Sequence, residues 1–253
     1  MFSKMKRVSV LVAALCLFSV SLKAFGQADD SNEGELSSAS VEEYQTRYRL
    51  NDIDTKLVNN TGDGFEPLYG VRNFRAVLSG VVYRGGANNA YNKHGKRDNQ
   101  NPLPPLGLKN LCEEGFGQAV YLYSKNFSGA AKQTSCSSTR GSNHINYATH
   151  SPLNEEGVYE ILKKVHSAIQ NPQRGPIYLH CWNGWHASGL ASAIVLRQFC
   201  GMSASTAVAY WNRNTDGHNK EKAFEKIRAR IRNYTAKPEF KISEAQRNAI
   251  CPN

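Results

Sequence analysis

Long hydrophobic runs are scarce in this 253-residue chain, and the one that stands out lies at its beginning. Residues 8–20 are largely apolar, which is shorter than the roughly 20 residues that a transmembrane helix requires. Basic residues precede this run, and the small residues Ala24 and Gly26 are typical of a cleavage site. The pattern predicts a secretory signal peptide over residues 1–26, with Ala28 as an alternative end. We therefore expect a secreted or periplasmic protein without stable membrane insertion.

The sequence also lacks the paired cysteines and histidines of a zinc site and the motifs of RNA-binding modules. Its formal net charge is +10, and it falls to +6 without residues 1–26, which hold four basic residues and no acidic ones. This moderate excess suits an anionic ligand but does not indicate nucleic-acid binding. We expect no metal, no cofactor and no nucleic-acid partner.

Large apolar residues are few between residues 27 and 45, where acidic residues and serine dominate. Such a composition cannot bury enough surface to fold alone. We interpret residues 27–63 as an acidic, serine-rich tail or linker followed by an irregular lead-in. Residues 64–253 are long enough for one domain with a single sizeable core.

Strand and helix patterns alternate through this domain. Residues 71–77 and 80–86 predict a strand pair, and short apolar runs predict strands at 119–123, 145–147 and 177–180. Apolar residues at helical spacing predict helices over 106–115, 155–170, 188–200, 203–211, 219–234 and 243–250. Residues 87–105 and 124–142 are predicted loops. The alternation favours an α/β fold with a central, mostly parallel sheet flanked by helices.

One segment places a cysteine between a strand and a helix start. Cys181 follows an apolar strand, Gly184 marks a turn, and Ser188 and Gly189 open the next helix. We call residues 181–189 the cysteine loop. Backbone N–H groups at a helix N-terminus carry partial positive charge, so they can bind an anion and favour a thiolate over a thiol. Cys181 is the candidate nucleophile, and Ser188 is a candidate hydrogen-bond donor to its sulfur.

The cysteine loop resembles the phosphate-binding loop of the cysteine-dependent protein phosphatases, the tyrosine and dual-specificity enzymes. Their pattern is His-Cys, five residues, Arg, then Ser or Thr and Gly, and Ala187 stands where the family has arginine. The resemblance implies a dual-specificity-phosphatase-like fold that binds a phosphorylated or otherwise anionic ligand. A methyl group cannot replace a bidentate guanidinium, and losing one such donor costs about 10²–10³ in rate. The implied ligand-binding positions are His180, Trp182, Asn183, Gly184, Trp185, Ala187 and Gly189.

A second resemblance lies in residues 81–86, Val-Val-Tyr-Arg-Gly-Gly. Small atypical dual-specificity phosphatases enter their sheet with a similar strand. The resemblance leaves two roles open for Arg84, which is either a pocket residue or a structural arginine.

The family also uses an aspartate as general acid, on a loop before the cysteine. This chain has no aspartate between Asp98 and Asp216, and His150 lies near the expected place. We therefore take His150 as the candidate acid. His186 either supplies positive charge or acts on the thiol, or it faces water while the loop tryptophans pack. Arg213 is a candidate source of the missing guanidinium from outside the loop.

Five cysteines remain after residue 26, an odd number in a compartment that the signal peptide predicts to be oxidising. A loop nucleophile of this family must stay reduced, which makes Cys181 the candidate free thiol. Of three possible pairings of the others, we favour Cys112–Cys136 with Cys200–Cys251; the alternative is that some remain buried thiols.

Two functions follow from these features. The first is a degenerate phosphatase that binds a phosphorylated or anionic ligand, or a protein partner, through the cysteine loop. The alternative is an active cysteine-dependent phosphatase or related hydrolase, using Cys181 with a non-standard acid and non-standard anion-binding residues. The sequence does not decide whether the protein is an enzyme.

Overall fold

A computed structural model describes residues 40–50, 52–89 and 99–252 of the chain. The predicted signal peptide lies outside these residues, as do residues 90–98 of the loop predicted over 87–105. The strands are β1 (Arg72–Leu78), β2 (Val82–Gly86), β3 (Asn88–Asn89), β4 (Asn99–Gln100), β5 (Gln118–Tyr121), β6 (Gln133–Ser138), β7 (Gly141–Thr149) and β8 (Ile177–His180). The helices are α1 (40–48), α2 (Pro105–Glu113), α3 (Glu155–Gln170), α4 (His186–Cys200), α5 (Ala204–Arg213), α6 (Glu225–Asn233) and α7 (Glu244–Ile250).

Six strands form one sheet in the order β1-β2-β8-β5-β7-β6. The four inner strands run parallel, whereas β1 and β6 at the two edges run antiparallel to their neighbours. The predicted α/β fold with a mostly parallel sheet is therefore confirmed. Gly85, His180, Tyr121 and Thr149 are aligned across the inner strands. Because these residues end parallel strands, they bring the start of the cysteine loop to the carboxyl edge of the sheet, where open α/β sheets bind ligands.

Each face of the sheet is covered by a separate part of the core. Alternate residues of one strand point to opposite faces: Val82 and Leu179 pack with α3, α4 and the later helices, whereas Tyr83 and Tyr178 pack with α1 and α2. Helix α3 matches its predicted bounds because its apolar residues form one stripe and Asn154 caps its first turn, accepting from Gly157 N at 2.7 Å. No helix among the described residues has the length and apolarity needed to cross a membrane.

Two segments differ from the sequence prediction. Residues 133–149 form the hairpin β6–β7, where the sequence predicts a loop followed by a strand of three residues. The polar Gln133–Ser138 segment shows no apolar alternation because it forms the half-exposed edge of the sheet. Residues 40–48, assigned to the solvated tail and lead-in, are helical and bury Tyr44 and Tyr48, whose hydroxyls bond to Glu114.

The two predicted disulfides are both present. Cys112–Cys136 fastens α2 to β6, and Cys200–Cys251 fastens the end of α4 to the residue after α7. Cys181 is the free cysteine of the described chain and is buried. A reduced sulfur is therefore available at the carboxyl end of β8.

Candidate functional site

The cysteine loop packs closely on the end of β2 because glycines face each other there. Gly184 has φ +76°, and a Cβ at this position would lie 2.7 Å from Gly85 C and Gly86 N. A Cβ at Gly86 would lie 2.7 Å from Trp182 O. Gly86 forms an antiparallel bridge with Asn183. The Gly-Gly end of β2 and the glycine of the loop are thus needed for the same contact.

Buried side chains from β1 and β2 hold the carbonyl groups of the loop. Arg72 donates to Trp182 O through Nε at 3.2 Å and Nη2 at 3.0 Å. Arg84 Nη2 donates to Gly184 O and, at 3.2 Å, to Trp185 O. Asn73 Nδ2 donates to Asn183 O at 2.6 Å.

These contacts determine where the neighbouring amides point. In a planar trans peptide, the N–H lies on the side opposite the preceding C=O. The carbonyls of Trp182, Gly184 and Trp185 face the arginines, so the next amides, at residues 183, 185 and 186, face away from β1 and β2. Helix α4 begins at His186 and adds its own first-turn amides. This arrangement can place several N–H donors around one anion.

Cys181 lies at the start of this arrangement and is 3% exposed. Its Sγ is 3.4 Å from Ser188 Oγ, and Ser188 Oγ is 3.4 Å from Arg84 Nη2. Ser188 and Arg84 are both fully buried. The structure therefore places Ser188 where the sequence predicts, within hydrogen-bond reach of the sulfur.

His180 orients the loop from below through one buried network. Its Nε2 is 2.8 Å from Tyr147 Oη, which accepts from Leu103 N at 3.0 Å, and its Nδ1 is 3.3 Å from Cys181 O. Burial lowers the pKa of His180 to about 3, so the ring is neutral at pH 7 and carries one proton. Tyr147 donates to Nε2 and the proton of His180 lies on Nδ1, directed at the Cys181 carbonyl.

No guanidinium takes the place of the family arginine within the cysteine loop. Ala187 is 3% exposed and packs in the apolar cluster that also contains Cys181. Arg213 is half exposed and pairs with Asp54 at 3.0 Å. The hydrogen bonds that Arg213 makes with the described residues go to Asp54 rather than to the loop.

The two candidate histidines make no hydrogen bond to Cys181 among the described residues. His150 N donates to Tyr121 O at 3.0 Å, and burial followed by the charge of Lys164 on α3 lowers the pKa of its ring. The His186 ring stacks on Phe224 at 4.2 Å and bonds His218 O, and burial lowers its pKa. Neither ring is within hydrogen-bond distance of Cys181 among the described contacts, and a neutral His186 supplies no positive charge at pH 7.

The two loop tryptophans have different surroundings. Trp185 is buried, stacks on His218 at 4.0 Å and donates to Asp216 Oδ2 at 3.0 Å. Trp182 is 43% exposed, and its Nε1 donates to Tyr121 Oη at 3.1 Å. Trp185 thus packs the outer side of the loop, whereas Trp182 offers an indole face to solvent beside it.

Most of the groups that support the loop were not predicted from the sequence. Arg72, Asn73 and Tyr147 bond the loop or His180 from strands distant in the sequence. Tyr121 and Tyr123 were also missed, although burial and, to a smaller extent, the nearby Cys181 sulfur raise the pKa of both phenols. The available signal was charge in a strand: three arginines in β1 and β2 occupy positions that a sheet buries completely.

Comparisons with known proteins give structural similarity alone. No family model and no curated protein matches the chain. Among solved structures it resembles P. aeruginosa TpbA, with 16% identity, TM-score 0.41, and coverage of 69% of this chain and 90% of that one. A TpbA variant in complex with phosphotyrosine gives 15% identity, TM-score 0.42, and coverage of 74% and 93%. The core catalytic domain of the S. cerevisiae PP-IP phosphatase SIW14, in complex with citrate, gives 18% identity, TM-score 0.40, and coverage of 65% of this chain and 86% of that one.

These structures are protein tyrosine or dual-specificity phosphatase-like. At 15–18% identity and TM-scores of 0.40–0.42, the similarity assigns neither a family nor an activity to this chain. Within the described residues, no group of three or more His, Cys, Asp or Glu side chains is placed to hold a metal ion.

Proposed function

We propose that this protein is a degenerate phosphatase whose cysteine loop binds a phosphorylated or similar anionic ligand. The main support for this proposal is that side chains of β1 and β2 hold the loop from one side. Arg72, Asn73 and Arg84 occupy its carbonyls, which turns the following amides toward the other side. We call these amides, at residues 183–186, together with the other first-turn amides of α4 at residues 187 and 188, the anion cup.

The chemistry of residue 187 supports a binding role over an efficient catalytic one. The anion cup has amide dipoles and a sulfur but no guanidinium. Ala187 ends in a methyl group, and Arg72 and Arg84 bond the loop carbonyls that face β1 and β2, on the side away from the cup. Amide dipoles suffice to hold an anion at a helix start. Stabilising the charge that develops in phosphoryl transfer requires more preorganised positive charge.

Calorimetric titration with inorganic phosphate and phenyl phosphate tests the anion cup directly. The Cys181→Ser protein removes any turnover and should bind both. Ala187→Glu, once circular dichroism shows that it is folded, should abolish binding, because it adds a negative charge to the first turn of α4. Ala223→Glu makes the same change at an exposed site between α5 and α6, and should bind as Cys181→Ser alone does. Failure of both ligands to bind, or equal loss in the two Glu variants, would contradict the proposal.

A second candidate function is supported by the state of Cys181. It is the free cysteine beside two disulfides, and it lies 3.4 Å from a serine that contacts Arg84. These are the groups of an activated thiol. Hydrolysis of p-nitrophenyl phosphate or an inositol phosphate by wild type, lost in Cys181→Ser, would favour this active enzyme over the degenerate one.

We further propose that the mature protein is exported after cleavage near residue 26. The two disulfides support this, since such bonds persist mainly in oxidising compartments. Mass spectrometry of protein recovered outside the cytoplasm should show a chain that begins at residue 27 or 29. Recovery of the intact chain in the cytoplasm alone would exclude export.

A further inference from the structure

Arg84 is a buried cation without an acidic partner among the described residues. Its side chain is fully buried, and its hydrogen-bond acceptors are the Tyr210 hydroxyl at 3.0 Å, the carbonyls of Gly184 and Trp185, and Ser188 Oγ. None of these acceptors is charged, and the salt bridges of the described residues do not include Arg84.

The neighbouring Arg75 shows the contrast. It is equally deep in the sheet, but its Nη2 lies 3.6 Å from Asp216 Oδ1. A buried charge is costly to keep without a counter-charge. A negatively charged group close to Arg84 would therefore stabilise the buried guanidinium.

The Cys181 sulfur is the group that can supply this negative charge. Ser188 Oγ lies between the guanidinium and the sulfur, 3.4 Å from each. A guanidinium only donates, so at this contact Ser188 accepts. Ser188 Oγ has a second lone pair, so the Cys181 thiol can donate to it at 3.4 Å, whereas a thiolate would accept the hydroxyl proton of Ser188 instead.

A glycine makes the close approach possible. Gly189 follows Ser188 on α4, and a Cβ there would lie 3.3 Å from Arg84 Nη2 and 2.9 Å from Trp211 Cδ1. Because Gly189 has no side chain, the Arg84 guanidinium can lie close to the backbone there, and the first turn of α4 packs directly on Arg84.

We propose that Arg84 is the positioning residue that stabilises the Cys181 thiolate, acting through the hydroxyl of Ser188. The positive charge that the family pattern would place at residue 187 is thus supplied at the sulfur from β2, behind the loop. This inference deepens the proposed function and rests on it for the anion cup, but the state of the sulfur can be measured without any ligand.

Two readouts report the sulfur itself at pH 7. One is the thiolate absorbance near 240 nm, taken as the difference from Cys181→Ser, and the other is the rate of alkylation by iodoacetamide. Ser188→Ala removes the connecting hydroxyl and leaves the contacts of Arg84 with the loop carbonyls. It should lower the thiolate signal and slow alkylation about tenfold, since a hydrogen bond to a charged group is lost.

Ser192→Ala is the matched control. Ser192 is fully buried one turn further along α4, and its hydroxyl has no hydrogen-bond partner in the described part of the chain. Its variant should leave both readouts unchanged. Arg84→Met should slow alkylation at least as much as Ser188→Ala does. Arg84→Lys keeps the charge, so its alkylation rate should lie between those of wild type and Arg84→Met.

The outcomes separate this inference from the proposed function. Folded Ser188→Ala with wild-type thiolate signal and alkylation rate overturns the role of Arg84, and this test stands even where Arg84→Met does not fold. An equal loss in Ser192→Ala also overturns it, because general packing would then explain the effect. Phosphate binding by Cys181→Ser is a separate measurement. If this protein does not bind phosphate, the anion cup is refuted. Slower alkylation of Ser188→Ala would still support the contact between Arg84, Ser188 and Cys181.

Discussion

Replacing Tyr147 by phenylalanine tests the buried network beneath the cysteine loop. The Tyr147 hydroxyl accepts from Leu103 N at 3.0 Å and lies 2.8 Å from His180 Nε2. Burial raises the pKa of Tyr147 well above its usual value, so its proton stays in place as the donor to His180. The substitution keeps the ring, which packs on Phe127 at 5.0 Å between centroids, and deletes one oxygen.

The expected cost follows from the two partners that lose their bonds. Leu103 N–H and His180 Nε2 are both buried, and each unsatisfied group costs about 1–3 kcal/mol. We expect Tyr147→Phe to lower the free energy of unfolding by about 2–6 kcal/mol. For a domain of this size, each kcal/mol shifts Tm by about 2–4 °C, so Tm should fall by about 4–24 °C.

Thermal unfolding followed by circular dichroism measures this difference. Tyr159→Phe is the matched control because Tyr159 is 38% exposed and its ring packs on Phe240, with no hydrogen bond from its hydroxyl to the described residues. That variant should stay within about 0.5 kcal/mol of wild type. Equal Tm values for the two variants would refute the contribution of this network to stability.

Three further predictions concern the loop, pH and the disulfides. Ala187→Arg should raise kcat/KM for p-nitrophenyl phosphate by about 10²–10³ in a Cys181-dependent manner; no gain in a folded variant would show that more than the guanidinium is missing. Because the pKa of His180 is about 3 when folded, the unfolded chain alone binds this proton between about pH 6.5 and 3. Stability should therefore fall as pH falls, by roughly 1.4 kcal/mol per unit, and urea titrations at pH 7 and 5 should show a difference about 2 kcal/mol smaller in His180→Asn than in wild type. Replacing Cys200 and Cys251 by serine opens a link of 51 residues and should cost about 4 kcal/mol by chain entropy, visible as a lower Tm.

The parts of the fold that the sequence predicts are those with local signals. Helix α3 carries an apolar stripe and an Asn154 cap, and β8 with α4 combines an apolar run, a glycine turn and a helix start. Strand β6 carries no such signal because its residues are polar on both faces. Helix α1 had a weak one, since Tyr44 and Tyr48 are four residues apart among acidic residues that suggested solvent.

The site divides in the same way. The cysteine, the serine and the free thiol follow from the pattern of the cysteine loop, and the structure brings Cys181 and Ser188 together. The roles assigned to His150, His186 and Arg213 depended on distance in space, which spacing along the chain does not give. The loop's supporting groups come from β1 and β2, roughly a hundred residues earlier, so only the sheet topology reveals them.

The placement of the arginines separates two tasks that a positive charge near such a loop can perform. A positive charge behind the loop can stabilise a thiolate through Ser188 but cannot reach around the loop to hold the oxygens of a ligand. A positive charge at residue 187 would do the reverse, and this chain has a methyl group there. An anion in the cup then meets amide dipoles and, nearby, the neutral phenols of Tyr121 and Tyr123, whose raised pKa keeps them protonated. Such a site lowers the energy of a bound anion more than that of the additional charge formed in a transition state, which is the physical reason to expect binding to exceed catalysis until an arginine is restored.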